Sequence, residues 1–123
     1  MRKGFVYIMS NKNRTTFYIG VTNAIKRRVL EHKTGKGSAF TKKYNLVDLV
    51  YFEKIEGLQE CIQREKQLKN WHRDWKINLI KEDNPEMVDL AADWFVEVEE
   101  HMVIRSWWKN ISSIRTDPET SSG

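Results

Sequence analysis

The chain has 123 residues, of which 40% are hydrophobic and 31% are charged, a balance typical of one folded domain. The single cysteine, Cys61, excludes an internal disulfide, and with only three histidines beside it the usual structural zinc site is disfavoured. No apolar run approaches ~18 residues, and the first residues lack the apolar centre of a signal peptide. We therefore expect a cytoplasmic protein with no membrane partner.

The positive charge is concentrated in the N-terminal part of the chain. Residues 1–46 contain eleven lysines and arginines against one acid, Glu31, and carry a formal charge of +10. Residues 47–96 carry −4, and residues 97–123 carry −2. Lysine and arginine gain free energy when they displace the condensed counterions of a polyphosphate. The basic block therefore favours nucleic acid as the partner over a merely solvated basic face.

Runs of β-branched and aromatic residues predict three strands, which are residues 5–9, 17–21 and 46–52. A short polar turn separates the first two strands, so they are predicted to form a hairpin. Apolar residues at helical spacing predict three helices, which are residues 24–33, 58–71 and 74–81. The stretch 34–45 is rich in glycine and lysine and is predicted to be a loop.

A last helix is predicted after these elements. Asn84 is placed to cap it, and Pro85 would occupy its first position. Apolar residues recur at helical spacing over residues 87–102, whereas residues 116–123 are polar and are expected to be frayed.

These elements predict an α/β (α+β) domain over residues 1–95, in which helices flank a small, three-stranded, mostly antiparallel sheet. Residues 96–123 are then an extension that is expected to be partly helical and then disordered. The extension contains Trp107 and Trp108, and together with Trp94 and Phe95 these aromatic residues would form a sticky surface if they stayed exposed.

Two tyrosines and one pair of helix residues are candidates for chemistry. Tyr7 and Tyr18 lie near the middle of the hairpin strands, where they would be near neighbours on one face, although a strand tyrosine is more often a packing residue. At 100° per residue, Arg28 and His32 border the apolar stripe of the first helix. Arg28 there either binds phosphate through its planar fork or extends past the core beside a buried histidine.

Glu65 falls in the middle of the apolar face of the helix predicted at 58–71. An ionised, unpaired carboxylate at such a position costs several kcal/mol, so it requires a cation, a metal ion or a proton. It could form an internal salt bridge, for instance with Arg28, or it could hold a hard cation such as Mg²⁺. The residue pattern alone leaves both possibilities open.

Five short motifs, in this order and at this spacing, resemble the GIY-YIG nuclease superfamily and its small single-domain subgroup. They are Val6-Tyr7-Ile8, Tyr18-Ile19-Gly20-Val21-Thr22-Asn23, Arg27-Arg28-Val29-Leu30-Glu31-His32-Lys33, Phe40-Thr41-Lys42-Lys43-Tyr44 and Arg64-Glu65-Lys66-Gln67-Leu68-Lys69. The resemblance extends over roughly residues 4–95. The first motif has Phe5 where the family name has glycine.

The resemblance implies one divalent ion, Mg²⁺ or Mn²⁺, held by Glu65. It also implies that Tyr7 acts as, or assists, the general base that activates water. Tyr18 would lie beside the attacking oxygen or the scissile phosphate. Arg28 would stabilise the charge that develops on the phosphate, and His32 would transfer a proton or contact the phosphate.

Further residues are expected to contact the substrate. Gly20 would let a phosphate approach the backbone, and Lys42 and Lys43 belong to the basic block. The family also has a late asparagine near its site. Asn78 and Asn84 compete for that role, and we take Asn84 as the substrate contact although helix capping also explains it.

The sequence thus predicts a metal-dependent endonuclease that hydrolyses DNA phosphodiester bonds, in DNA repair or recombination, with RNA not excluded as a substrate. The alternative is a nucleic-acid-binding domain of the same fold that does not cleave. A protein-interaction domain, suggested by the C-terminal aromatic residues, is a third possibility.

Overall fold

The computed structural model describes residues 3–98 and 101–104. The elements in chain order are β1 (Lys3–Ser10), β2 (Phe17–Thr22), α1 (Ile25–Lys33), α2 (Ala39–Lys43), β3 (Asp48–Glu56), α3 (Leu58–Asn70), α4 (Arg73–Asp83), β4 (Phe95–Val98) and β5 (His101–Ile104). Within the described residues, none of the helices has the length and apolar character needed to cross a membrane.

The first three strands form one antiparallel sheet in the order β2-β1-β3, with β1 in the centre. The predicted strands, their hairpin and the three-stranded antiparallel sheet are therefore confirmed. In this register Tyr7 pairs with Gly20 on β2 and with Phe52 on β3. The ladder between β1 and β3 shifts between Ile8 and Met9.

Successive side chains of β1 point to opposite faces of the sheet. Both faces therefore carry apolar side chains, and helices and loops cover both. One face packs against α3 and α4 through a mainly apolar cluster, whose buried members include Val6, Ile8, Ile19, Val50, Tyr51, Cys61, Leu68 and Ile80. The other face packs against α1 and the chain after α4, through a cluster that contains Tyr7, Met9, Ile25, Val29, Leu46, Leu49 and Ala91. Helices thus flank the sheet, as predicted.

The segment predicted to be a loop contains the short helix α2. Its first turn is closed by a capping box, in which Ser38 Oγ accepts from the Thr41 N–H and Thr41 Oγ1 accepts from the Ser38 N–H. Because Thr41 takes the place of the usual glutamate or glutamine in this box, the sequence signal for the helix was weak.

The helix predicted from Asn84 onward is wrong. Asn84 follows the C-terminus of α4 instead of starting a helix, and its side chain donates to the carbonyls of Val50 and Val88 at 3.0 and 2.9 Å. The Leu90 N–H donates to the Leu49 carbonyl at 2.7 Å. The segment therefore satisfies its backbone polar groups partly against β3 and not by a helical ladder of its own.

The start of the extension is also not helical, because β4 and β5 pair as antiparallel strands and β5 packs against α1. Trp94 contacts Phe52 and Phe95 edge-on, so it belongs to the domain. Trp107, Trp108 and the residues predicted to be disordered lie outside the described residues. The domain boundary at residue 95 stays a prediction.

Candidate active site

Tyr7 lies at the centre of β1 and is fully buried. A Cβ on Gly20, its partner on β2, would lie 2.5 Å from Tyr7 Oη and 2.6 Å from Tyr7 Cζ. The missing side chain of Gly20 therefore makes room for the Tyr7 phenol. The phenol fills the space where a side chain of Gly20 would lie, and a phosphate contact at Gly20 stays a prediction.

Two residues of α1 hold the Tyr7 hydroxyl. His32 Nε2 lies 2.8 Å from Tyr7 Oη, and Arg28 Nε donates to the same oxygen at 3.3 Å. The two residues are one helical turn apart, so both reach the same point on the sheet. The structure thus brings together three of the residues that the sequence analysis selected.

The protons in this group can be assigned from the hydrogen-bond partners. Arg28 only donates, so among the described residues the buried Tyr7 O–H finds its acceptor in His32 Nε2. The proton of the neutral imidazole then sits on Nδ1, which donates to Thr41 Oγ1 at 3.0 Å. Thr41 Oγ1 in turn donates to the Ser38 carbonyl at 3.1 Å. The chain Tyr7–His32–Thr41–Ser38 therefore runs in one direction.

Thr41 and Gly37 are site residues that the sequence analysis missed. Thr41 is fully buried and fixes the tautomer and the ring orientation of His32. A Cβ on Gly37 would collide with Nδ1 of the His32 ring, so this glycine lets the loop between α1 and α2 close over the histidine. The sequence signal for this contact is the position of Gly37, five residues after His32 in the stretch predicted to be a loop.

Burial governs the ionisation of both groups. It raises the pKa of Tyr7 to about 12, although the hydrogen bond and the positive charge of Arg28 act in the opposite direction. Burial and then the charge of Arg28 lower the pKa of His32 to about 4. At neutral pH the pair is therefore a neutral phenol that donates to a neutral imidazole.

Tyr18 lies on the solvent side of this group. Its ring centroid is 6.3 Å from that of Tyr7 and 5.6 Å from that of His32, so the two strand tyrosines share one face, as expected. Arg28 is partly exposed and also pairs with Glu31 at 2.8 Å. Its pKa is raised, chiefly by the hydrogen bond to Glu31 and despite its partial burial.

Glu65 belongs to a helix whose buried residues pack on the sheet face opposite Tyr7. It lies on α3, on the helix face between the fully buried Cys61 and Leu68, and α3 packs on the opposite face of the sheet. Its side chain is 23% exposed and pairs with Lys69 at 3.2 Å. The salt bridge with Arg28 that the sequence left open is not formed, since Arg28 pairs with Glu31 instead.

The described residues contain no group of three or more His, Cys, Asp and Glu side chains that could hold a metal ion. No hydrogen bond or ion pair connects Glu65 with Tyr7, Arg28 or His32 in the described part of the chain. A divalent ion at Glu65 would therefore be held by fewer than three such side chains of the described residues.

The expected substrate contacts differ from one another in exposure. Lys42 and Lys43 are exposed on α2, next to the loop that covers His32. Asn84 is buried, and both its amide N–H groups and its amide carbonyl are engaged by the backbone of Val50 and Val88. Asn84 therefore supports the fold, whereas Asn78 is exposed on α4.

Comparison with known proteins gives a consistent picture. The family model described as "GIY-YIG catalytic domain" matches residues 3–78. A UPF0213 protein of Syntrophus aciditrophicus is 40% identical over 70% of this chain and 98% of its own length. A UPF0213 protein of Staphylococcus haemolyticus is 35% identical over 67% of this chain and 99% of its own. The solution NMR structure of a UPF0213 protein from Bacillus halodurans aligns with a TM-score of 0.46 at 25% identity, over 74% of this chain and 97% of that chain.

Proposed function

The chain belongs to the GIY-YIG family, and we propose that it is an endonuclease that hydrolyses DNA phosphodiester bonds with the help of a divalent metal ion. The observation that carries this proposal is the buried, directional hydrogen-bond chain from Tyr7 through His32 to Thr41, with Arg28 on the same phenol oxygen. A tyrosine that served only packing would not need a histidine of fixed tautomer and a guanidinium on one hydroxyl.

In this proposal Tyr7 and His32 activate water together. With a pKa of about 12, Tyr7 is not a phenolate at neutral pH. The phenol oxygen therefore accepts a proton from the attacking water while its own proton passes to His32 Nε2. One water O–H bond, the old phenol O–H bond and the scissile P–O bond break, and a new P–O, a new phenol O–H and an N–H bond form. The leaving oxygen takes its proton from solvent water.

Arg28 has two roles in this step. Its guanidinium carries five N–H donors, of which Tyr7 and Glu31 engage two, so it can also bind the phosphate oxygens. The negative charge of the bound phosphate would then offset the positive charge that helps to lower the pKa of His32. Substrate binding would thereby make His32 a stronger base at the moment when it is needed.

Glu65 is the residue that would hold the metal ion. Mg²⁺ in nucleotide-processing sites is often bound by one or two carboxylates, substrate phosphates and waters, and a single, partly exposed carboxylate fits that pattern. The partner that it has now, Lys69, is 53% exposed, so their ion pair is weak. When bound, the ion supplies Lewis-acid stabilisation of the charge on the phosphate.

The test is a cleavage assay at low salt with supercoiled, branched and single-stranded DNA, each with Mg²⁺, Mn²⁺ or EDTA. Tyr7→Phe protein, purified in parallel, controls for contaminating nucleases. We expect cleavage that needs the metal and is lost in the variant. Salt-sensitive binding without cleavage by the wild type under any condition would instead identify the non-catalytic nucleic-acid-binding domain.

A further inference from the structure

Three aromatic rings lead from the buried tyrosine group to the surface. The Tyr18 ring, edge-on to His32, stacks on Phe40 with a centroid distance of 6.2 Å and an interplanar angle of 30°. Phe40 contacts Tyr44 at 4.8 Å. Phe40 and Tyr44 are each 43% exposed. We call these two exposed rings on and beside α2 the aromatic platform.

The platform is tied rigidly to the site. Thr41, between the two rings in sequence, points inward and holds His32, while the capping box with Ser38 fixes the start of α2. One side of this short helix thus orients the proposed proton acceptor, and the other presents aromatic rings to solvent. The distance between the platform and the Tyr7 group is therefore set by packing.

The surroundings of the platform are basic. Lys42 and Lys43 are exposed on the same helix, and Lys43 Nζ lies 5.3 Å from the centroid of the Tyr44 ring. Residues 105–123, which lie outside the described residues, carry three basic and two acidic side chains. The charge of that segment therefore does not favour its binding to the basic platform. A nucleic acid complements the platform in charge, through its phosphates, and in stacking, through its aromatic bases.

We propose that the aromatic platform binds an unpaired nucleobase of the strand whose phosphate enters the Tyr7 group. In a duplex the faces of each base are covered by its stacked neighbours, so only an unpaired nucleotide can stack on Phe40 and Tyr44. The substrate class is then DNA with an unpaired nucleotide next to the cleaved bond, such as a single strand, a loop or a flap. This location beside a cleaved bond rests on the proposed endonuclease function, but the stacking contact does not.

The test is therefore a binding measurement in EDTA, by fluorescence anisotropy with a labelled single strand and a hairpin duplex of equal charge. Loss of a base–aromatic stack weakens binding to the single strand by roughly tenfold. We expect that loss in Phe40→Leu, which keeps an apolar side chain, and recovery of wild-type affinity in Phe40→Tyr. Trp75→Leu is the matched control, because Trp75 is 54% exposed on α4 and lies on the other side of the sheet.

A single abasic nucleotide, moved along the strand, locates the contact. In the wild type it should weaken binding by roughly tenfold at one position, and in Phe40→Leu that position should show no further loss. Non-additivity of this kind shows that the base and the ring contact each other.

Three results would overturn the platform proposal. The wild type could bind single strand and duplex equally, Phe40→Leu could keep wild-type affinity for the single strand, or Trp75→Leu could lose as much affinity as Phe40→Leu. The two proposals fail separately. If the wild type binds as expected but cleaves nothing, the endonuclease proposal fails and the platform stands. If Phe40→Leu binds and cleaves single strands like the wild type, the platform fails and the endonuclease proposal stands.

Discussion

The two faces of the central sheet show two different uses of the same strand. On the α3 side, β1 contributes Val6 and Ile8 to a mainly apolar cluster. On the α1 side, it contributes Tyr7, whose hydroxyl is engaged by a histidine and an arginine. A buried polar group stabilises a fold only when all its members are satisfied, so the first face tolerates repacking whereas the second requires particular atoms. The predictions below test this contrast.

The largest effect on cleavage is expected at Glu65, a charged residue on the helix that covers the mainly apolar face. Glu65→Gln keeps the shape and removes the charge, so Mg²⁺-dependent cleavage should be abolished. Stability without metal should change by less than about 0.5 kcal/mol, because the only described ion pair is with the exposed Lys69. Added Mg²⁺ should raise the Tm of the wild type and not that of the variant.

Glu60→Gln, at an exposed glutamate of the same helix, is the control and should retain both cleavage and the Mg²⁺ response. A Glu65→Gln protein that is destabilised by about 3–5 kcal/mol and still nicks plasmid DNA would show that Glu65 is structural.

Tyr7→Phe should reduce cleavage by about 10²–10⁴-fold, the usual contribution of a general base. The variant should also lose about 1–3 kcal/mol of stability, because the buried His32 Nε2 loses the hydroxyl that donates a hydrogen bond to it. Tyr51→Phe is the matched change on the other face, since Tyr51 is also buried and donates to Glu53. We expect it to lose stability in urea unfolding while cleavage is unchanged. Equal losses of cleavage in the two variants would remove the difference between the faces.

His32 should make stability depend on pH. Its pKa is about 4 in the folded protein and about 6.5 in an unfolded chain, so the unfolded state binds more protons between these values. Stability is therefore full above pH 6.5 and decreases as the pH falls to 4, by roughly 3 kcal/mol from this residue. Urea unfolding between pH 7 and 4 should show a smaller slope for His32→Gln. His72→Gln, at an exposed histidine, should keep the wild-type slope.

Arg28→Lys should have the smallest effect. The lysine keeps the charge and loses the planar fork, so cleavage should fall by more than roughly tenfold while DNA affinity changes little. Arg27→Lys, at the exposed neighbour, should leave both unchanged. If binding and cleavage fall equally in Arg28→Lys, this arginine is a phosphate anchor and not a group that acts on the reacting phosphate.

Local pattern was enough to predict most elements. The helix predicted at 58–71 is α3, Leu58–Asn70, because its apolar spacing agrees with its packing. The helix predicted from Asn84 failed for the opposite reason. Similar apolar spacing occurs there, but the Leu90 N–H and the Asn84 side chain bond to β3, and such long-range partners override local periodicity.

The candidate site was predicted in the same uneven way. Tyr7, Arg28 and His32 could be grouped through the family resemblance, whereas strand and helix periods only placed each residue on a face of its own element. Thr41 and Gly37 could not, because their contacts with His32 depend on the path of the loop between α1 and α2. The absence of a hydrogen bond or ion pair between Glu65 and that group, among the described residues, was also hidden. One helix period does not reveal which face of the sheet the helix covers.

The pairing of Tyr7 with Gly20 makes the candidate site depend on the turn between β1 and β2. The phenol fits only where the neighbouring strand has no side chain. A slip of the hairpin by two residues would keep every apolar residue on its proper face, yet it would bring Tyr18 or Thr22 opposite Tyr7. The backbone hydrogen bonds between β1 and β2 could still form, but a side chain would fill the space that the Tyr7 phenol now occupies. The length of a surface turn that supplies none of the site's side chains therefore determines whether Tyr7 can meet Arg28 and His32.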